Sequence, residues 1–296
     1  MSIKDDVKQM KRVLIITFLF NQQEAIGSIR LRGLAKFLPR YGWEPIILTV
    51  SSNQKDELSV NRIETPYDDL FIKWKRRFGL KTNKTIKEQF ESVTKNKIKE
   101  FVIEKIIAIS LEILAYPDPN KGWRKYAIKY GDEFLRNSSV DAMISSSPPA
   151  TSHLIARTLK DRFSIPWIAD LRDPWTQHHC YPHGLVRRFV ERKLEINVLS
   201  NANALITVSD PLVKKLRELH KHSRIYAIPN GFDPEEIKPI TTLTTNFSIR
   251  YTGTLYKNGH DPRPLLRTIK NLIDEGKMRS EDISIEFYGK KENWFE

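Results

Sequence analysis

Asp170-Leu171-Arg172-Asp173-Pro174-Trp175 sets two carboxylates and a guanidinium directly after the apolar run Pro166–Leu171. In open α/β sheets, ligands bind beyond the C-terminal ends of the strands. Charged groups in that place orient hydroxyls, act as a base or neutralise phosphate. The plainer alternative is a buried ion pair that anchors a loop. Ser145-Ser146-Ser147 ends another apolar run and precedes Pro148-Pro149. Its hydroxyls, and free N–H groups at the start of a following helix, suit either substrate contact or ordinary capping. Gly27 is the one glycine in the loop after the first apolar run. It is a plain loop glycine, or it lets a substrate approach the backbone at a helix N-terminus, where N–H groups favour anions.

Other motifs exclude more than they suggest. His178-His179-Cys180-Tyr181-Pro182-His183 is too tightly spaced for a closed zinc site, and no second ligand group matches it. A polar loop near the site is the expectation there. Cys180 is the single cysteine, so an intramolecular disulfide framework and a Cys-rich zinc module are excluded. Neither G-x-G-x-x-G nor G-x-x-x-x-G-K-[ST] occurs, which argues against a common NAD dehydrogenase and a P-loop NTPase.

The elements that would position these groups read as α/β. Arg12–Phe18 and Glu44–Val50 are apolar, β-branched runs of the kind buried on both faces of a parallel sheet. Between them Ile29, Leu31, Leu34, Ala35 and Leu38 fall at helical spacing. Residues 53–137 break this rhythm. It resumes with strands near 140–145, 166–171, 204–208 and 224–228, and with helices near 148–163, 184–200 and 210–220. Ser209-Asp210-Pro211 reads as a helix start with a capping side chain and an early proline. Residues 231–246 read as a linker. Strand 247–252, helix 263–275 and strand 283–288 then begin a second unit, which is too small to be stable alone.

Lys and Arg number 49 against 36 Asp and Glu, a formal charge of +13, so an anionic partner is expected. From Phe71 to Lys105 there are eleven Lys/Arg and four Asp/Glu, which is more than half of that net charge. An Ile-rich amphipathic helix follows over 98–113. The pair reads as a membrane-surface element or as a solvated helical hairpin covering the sheet. No groove-reading motif accompanies it, so nucleic acid is not the expected partner. No apolar run approaches the ~20 residues needed to span a bilayer, and no signal peptide is expected. A cytoplasmic protein is the expectation.

Taken together, several stretches resemble the GT-B glycosyltransferases, specifically the family-4-like group. They are Ile29–Pro39 with Tyr41–Pro45, Ser146–Pro149, Pro166–Trp175, Ala202–Ser209, Ile228–Asp233 and Tyr251–Tyr256. The resemblance implies a Rossmann-like acceptor domain over 1–230, with a basic helical insertion at about 71–137. It also implies the first β-α-β part of a nucleotide-sugar domain over 247–296, with a cleft between the two. It lays the family's His-Asp loop on Arg172 and Asp173. Arginine cannot serve as a neutral base at physiological pH, so Arg172 takes a binding role. Asp173, Arg172 and Asp170 are the catalytic candidates. Gly27, Arg30, Ser147, Ser209, Asn230 and Gly231 are the substrate-binding candidates, and Gly253, Thr254 and Lys257 are those for the donor phosphate. Thr254 stands where the family usually has Arg.

No metal or other cofactor is expected beside the nucleotide-sugar co-substrate. The implied reaction moves a sugar to a lipid-linked or polysaccharide acceptor in cell-envelope synthesis, on the inner face of the membrane. The family's donor-binding glutamate pair would lie beyond residue 296. Weak or no transfer by this chain alone is therefore expected, with a second polypeptide a candidate to complete the donor domain. The alternative is a catalytically inactive acceptor- or membrane-binding module.

Overall fold

The computed structural model describes residues 10–22, 26–52, 58–77, 79, 81, 109–179, 181–237, 244–253, 255 and 261–289. The chain forms two units, Met1–Phe232 and Asp233–Glu296.

In the first unit, seven parallel strands stack in the order β3-β2-β1-β4-β5-β6-β7. They are β1 (Lys11–Ile16), β2 (Trp43–Val50), β3 (Asn61–Thr65), β4 (Ala142–Ser147), β5 (Trp167–Leu171), β6 (Ala204–Thr207) and β7 (Ile225–Ala227). The helices that join them include α1 (Ile26–Phe37), α2 (Leu70–Arg77), α3 (Arg124–Asn137), α4 (Thr151–Phe163), α5 (Leu185–Leu199) and α6 (Asp210–Leu219). Such βαβ crossovers cover both faces of a parallel sheet with helices.

Strand alternation divides the core in two. Val13 and Ile15 of β1 pack with Phe20, Leu31, Ala35 and Ile47 on the α1 face. Leu14 and Ile16 pack with Leu48, Trp123, Ile155, Leu159 and Trp167 on the other.

One strand departs from the sequence reading. β3 lies within the stretch where none is expected. It is an edge strand with mostly half-exposed residues, so it carries no continuous apolar run to mark it. The helix expected over 121–135 is a 3-10 turn, Pro119–Trp123, followed by α3. Of the amphipathic helix expected over 98–113, only 109–113 fall among the described residues, and these are helical.

In the second unit β8 (Phe247–Thr252) and β9 (Ile283–Tyr288) pair in parallel, joined through α7 (Arg263–Asp274). Gly253 follows β8 at φ 146°, and its N–H donates to the Tyr288 carbonyl at 2.8 Å. A Cβ on Gly289 would stand 1.9 Å from the Gly253 carbonyl oxygen, so these strand ends meet backbone to backbone. Among the described residues no helix is long and apolar enough to cross a membrane.

Candidate functional site

The strand order reverses between β1 and β4. From β1 the chain winds outward through β2 to β3, and from β4 through β5 to β7 in the other direction. Such a switch point opens a crevice beyond the strand ends, because the flanking connections leave toward opposite faces. The sequence-predicted residues of the first unit gather along this edge.

Asp170 pairs in register with Ser146 across β4 and β5. It is fully buried, and its Oδ2 accepts from Ser146 Oγ at 3.0 Å and from Arg30 Nε at 3.1 Å. Arg30 projects from α1 with its side chain almost wholly buried. Its Nη1 donates to the carbonyls of Ile228 at 2.9 Å and Pro229 at 3.1 Å, and to Asn230 Oδ1 at 3.3 Å. One guanidinium therefore ties α1, β5 and the chain leaving β7 together. Arg172 and Asp173 lie just outside. Arg172 donates to Asp173 Oδ2 through Nε at 3.0 Å and Nη2 at 2.9 Å, and both side chains remain partly exposed.

Gly27 sits in the first turn of α1 rather than in the preceding loop. A Cβ there would stand 3.3 Å from Arg172 Nη1 and 3.2 Å from Leu19 Cδ1, so the glycine leaves room for the guanidinium. Gly27, Arg30, Asp170, Arg172, Asp173 and Asn230 are thus brought to one place, with Ser147 buried at the end of β4. Gly231 is exposed next to Asn230. Ser209 is the N-cap of α6 at the same sheet edge, but its side chain makes no capping bond, contrary to the sequence reading. It caps through backbone geometry alone. Gly253 belongs to the second unit, and Thr254 and Lys257 lie outside the described residues.

The free N–H groups expected after Pro149 are not all free. Asp118 Oδ2 accepts from the Thr151 N–H at 2.7 Å and from its hydroxyl at 2.8 Å. Burial pushes the Asp118 carboxyl above the usual carboxylate range, against the opposing pull of these bonds. The cap of α4 comes from 33 residues away in sequence, so no local pattern announces it.

The three serines of β4 divide by strand alternation. Ser146 turns to Asp170, while Ser145 turns to the opposite core. There its Oγ accepts from Trp167 Nε1 at 2.8 Å and lies 2.7 Å from His153 Nδ1. Burial lowers the pKa of His153 to about 3. The unfolded chain binds this proton near pH 6.5. The stabilisation tied to the neutral ring is therefore complete above about pH 6.5 and drains away as pH falls toward 3. We expect the first unit to lose about 2 kcal/mol between pH 7 and pH 5 from this group. Urea unfolding of the wild type and of His153→Gln at both pH values checks it. Equal losses in the two proteins would assign the pH effect elsewhere.

Signals missed in the sequence come from α5, which reads there simply as a basic helix. Glu191 and Glu195 are buried and hold the loop that follows β5. Glu191 accepts from Arg187 Nε at 2.6 Å, Tyr181 Oη at 2.9 Å and Trp175 Nε1 at 3.3 Å. Burial, then Glu191, raises the Tyr181 pKa above its usual value, so the hydroxyl stays a donor. Glu195 accepts from the Thr176 N–H at 3.0 Å, from the Thr176 hydroxyl and from His220 Nε2 at 3.3 Å. The i, i+4 spacing of Arg187, Glu191 and Glu195 was the available signal. Among the described residues no group of His, Cys, Asp and Glu is arranged to hold a metal ion.

The family model for Glycosyltransferase Family 4 matches residues 28–236, more than half of the chain. No curated protein matches the sequence. Among solved structures, sucrose-phosphate synthase from Thermosynechococcus elongatus is similar at 13% identity and a TM-score of 0.53. That match covers 96% of this chain and 72% of the synthase. TarM is similar at 9% identity and a TM-score of 0.55, over 97% of this chain and 73% of its own. At these identities the likeness is one of fold.

Proposed function

We infer function from one premise: this chain belongs to Glycosyltransferase Family 4, and its fold is of the GT-B glycosyltransferase type. Our reading is a transferase that moves a sugar from a nucleotide-sugar donor to a hydroxyl of a lipid-linked or polysaccharide acceptor. The observation that carries it is the Arg30–Asp170–Arg172–Asp173 cluster at the switch point of the parallel sheet, inside the matched region.

In this reading Asp173 and Arg172, the partly exposed pair, meet the acceptor. Asp173 receives the hydroxyl proton or orients it, and Arg172 binds a hydroxyl or an anionic group. Asp170 and Ser146 fix Arg30 behind them. Leaving-group charge on the diphosphate is balanced by basic groups and helix N-termini. Gly253, Thr254 and Lys257 in the second unit are our candidates for the donor phosphate. Contact with an anionic membrane surface, on the inner face of the cell membrane, completes the reading. It is supported by the charge of +13 and the basic segment 71–105.

The test is incorporation of labelled sugar from a panel of UDP-, GDP- and ADP-sugars into a lipid extract, with and without EDTA. For this chain together with a second polypeptide that carries the donor-binding glutamate pair, we expect transfer that EDTA leaves unchanged, and a loss of about 100-fold in Asp173→Asn; the chain alone is expected to transfer weakly or not at all. Full activity in both Asp173→Asn and Arg172→Met would remove these residues from the site. Donor binding without transfer to any acceptor would favour an inactive binding module.

A further inference from the structure

The first half of helix α5 presents its apolar side chains to the outside. The helix's two carboxylates, Glu191 and Glu195, are buried. The apolar side chains of its first half face outward, with Leu185 83% exposed, Val186 82%, Phe189 61% and Val190 45%, whereas Val198 and Leu199 at its end are buried in the core. An ordinary surface helix turns its apolar stripe inward and its charges to water. Here the charges that share the outer face are cations alone, because Arg188, Arg192 and Lys193 are exposed and no carboxylate of the helix is.

The cations are interleaved with the apolar groups. Lys193 Nζ stands 4.5 Å from the centre of the Phe189 ring. Arg188 is held by its own Nε bond to the Thr176 carbonyl at 3.0 Å. Arg187 donates to the carbonyls of Ala115 at 2.9 Å and Glu112, which sets the helical segment ending near 114 beside the start of α5. That segment adds two more exposed apolar side chains, Ile109 and Ile113. Glu112 on the same turn lies 3.5 Å from His183. The sequence from Phe71 to Lys105, just ahead of this segment, carries the net positive charge already described.

We propose that the outer face of α5, with Ile109 and Ile113, docks on an anionic lipid surface. The inference rests on the membrane contact proposed above, and it centres that contact on α5, beside the end of the Ile-rich segment. Apolar side chains mixed with Lys and Arg, and without exposed carboxylates on the helix, match an interface-lying helix. The apolar groups enter the headgroup–acyl boundary while the cations meet anionic headgroups. A second copy fits less well. A two-fold contact would press Arg192 and Lys193 against the same cations of the partner.

Flotation of the full chain with vesicles tests this. One set is phosphatidylcholine with about 30 mol% phosphatidylglycerol, and the other is phosphatidylcholine alone. The wild type should float with the anionic vesicles at low salt and much less with the neutral ones. Leu185→Ser/Phe189→Ser should bind the anionic vesicles roughly tenfold more weakly, with its thermal melt unchanged because both side chains are exposed. Arg192→Gln/Lys193→Gln should bind several-fold more weakly, and should lose less than the wild type when salt is raised to ~0.5 M.

Three results overturn the proposal. If the serine pair floats like the wild type while Lys75→Gln/Arg76→Gln/Arg77→Gln does not, membrane contact stands and α5 is not its surface. If the wild type does not float, both readings fall. If the wild type is a dimer in solution and the serine pair a monomer, a second copy covers this face.

Discussion

Asp170→Asn is expected to lower the stability of the first unit by about 3–5 kcal/mol, the cost of breaking a buried ion pair from one side. Both partners are withdrawn from water, with side-chain exposures of 7% for Arg30 and 0% for Asp170. Asparagine keeps the size and an acceptor for Ser146, but it leaves the Arg30 guanidinium without its counter-charge. Among the described residues, the carbonyls of Ile228 and Pro229 and the side chain of Asn230 remain as its partners, and they are neutral. Removing both charges, in Asp170→Asn/Arg30→Met, should cost clearly less than the sum of the single losses. A coupling of about 2 kcal/mol is expected for residues in direct contact. Urea unfolding of the four proteins gives this number, and strict additivity would show that the pair contributes nothing. A second readout is local. Arg30→Met should speed amide exchange over 228–230 relative to the strands, because Arg30 anchors that stretch to the sheet edge.

Glu195→Ala should be nearly as costly, at about 3 kcal/mol or more, and its effect should be felt at the loop that carries Asp173. The fully buried carboxylate serves the Thr176 N–H, the Thr176 hydroxyl and His220 Nε2. Truncation leaves three buried donors without an acceptor, each costing about 1–3 kcal/mol, partly recovered if water enters. Glu195→Gln retains an oxygen at the same place and should lose about half as much. If Glu195 also positions the loop, Glu195→Gln should lower the transfer rate while leaving acceptor KM nearly unchanged. A melt lowered with kinetics untouched would reduce Glu195 to a purely structural role.

The strands of the first sheet were legible because burial on both faces demands continuous apolar runs such as Arg12–Phe18 and Glu44–Val50. β3 was not, because an edge strand needs no such run. The prominence of Asp170-Leu171-Arg172-Asp173 was legible from its place at the end of a buried strand. The split in its use was not. Asp170 turns inward to Arg30, 140 residues away, while Arg172 and Asp173 pair with each other near the surface. Likewise 33 residues separate Asp118 from the helix it caps, and nothing local to Thr151 foretells it.

α5 shows the limit most clearly. Its composition was read as basic, yet its orientation buries the glutamates and exposes Leu185, Val186 and Phe189.

The sequence by itself determined the α/β class, the parallel strands and the family, because periodicity, apolar runs and local motifs are properties of neighbouring residues. The tertiary structure alone decided which groups meet. Ion pairs, distant caps and the outward face of a helix depend on packing between segments far apart in the chain, and the desolvation that gives those contacts their strength exists only once the sheet and its helices have closed around them.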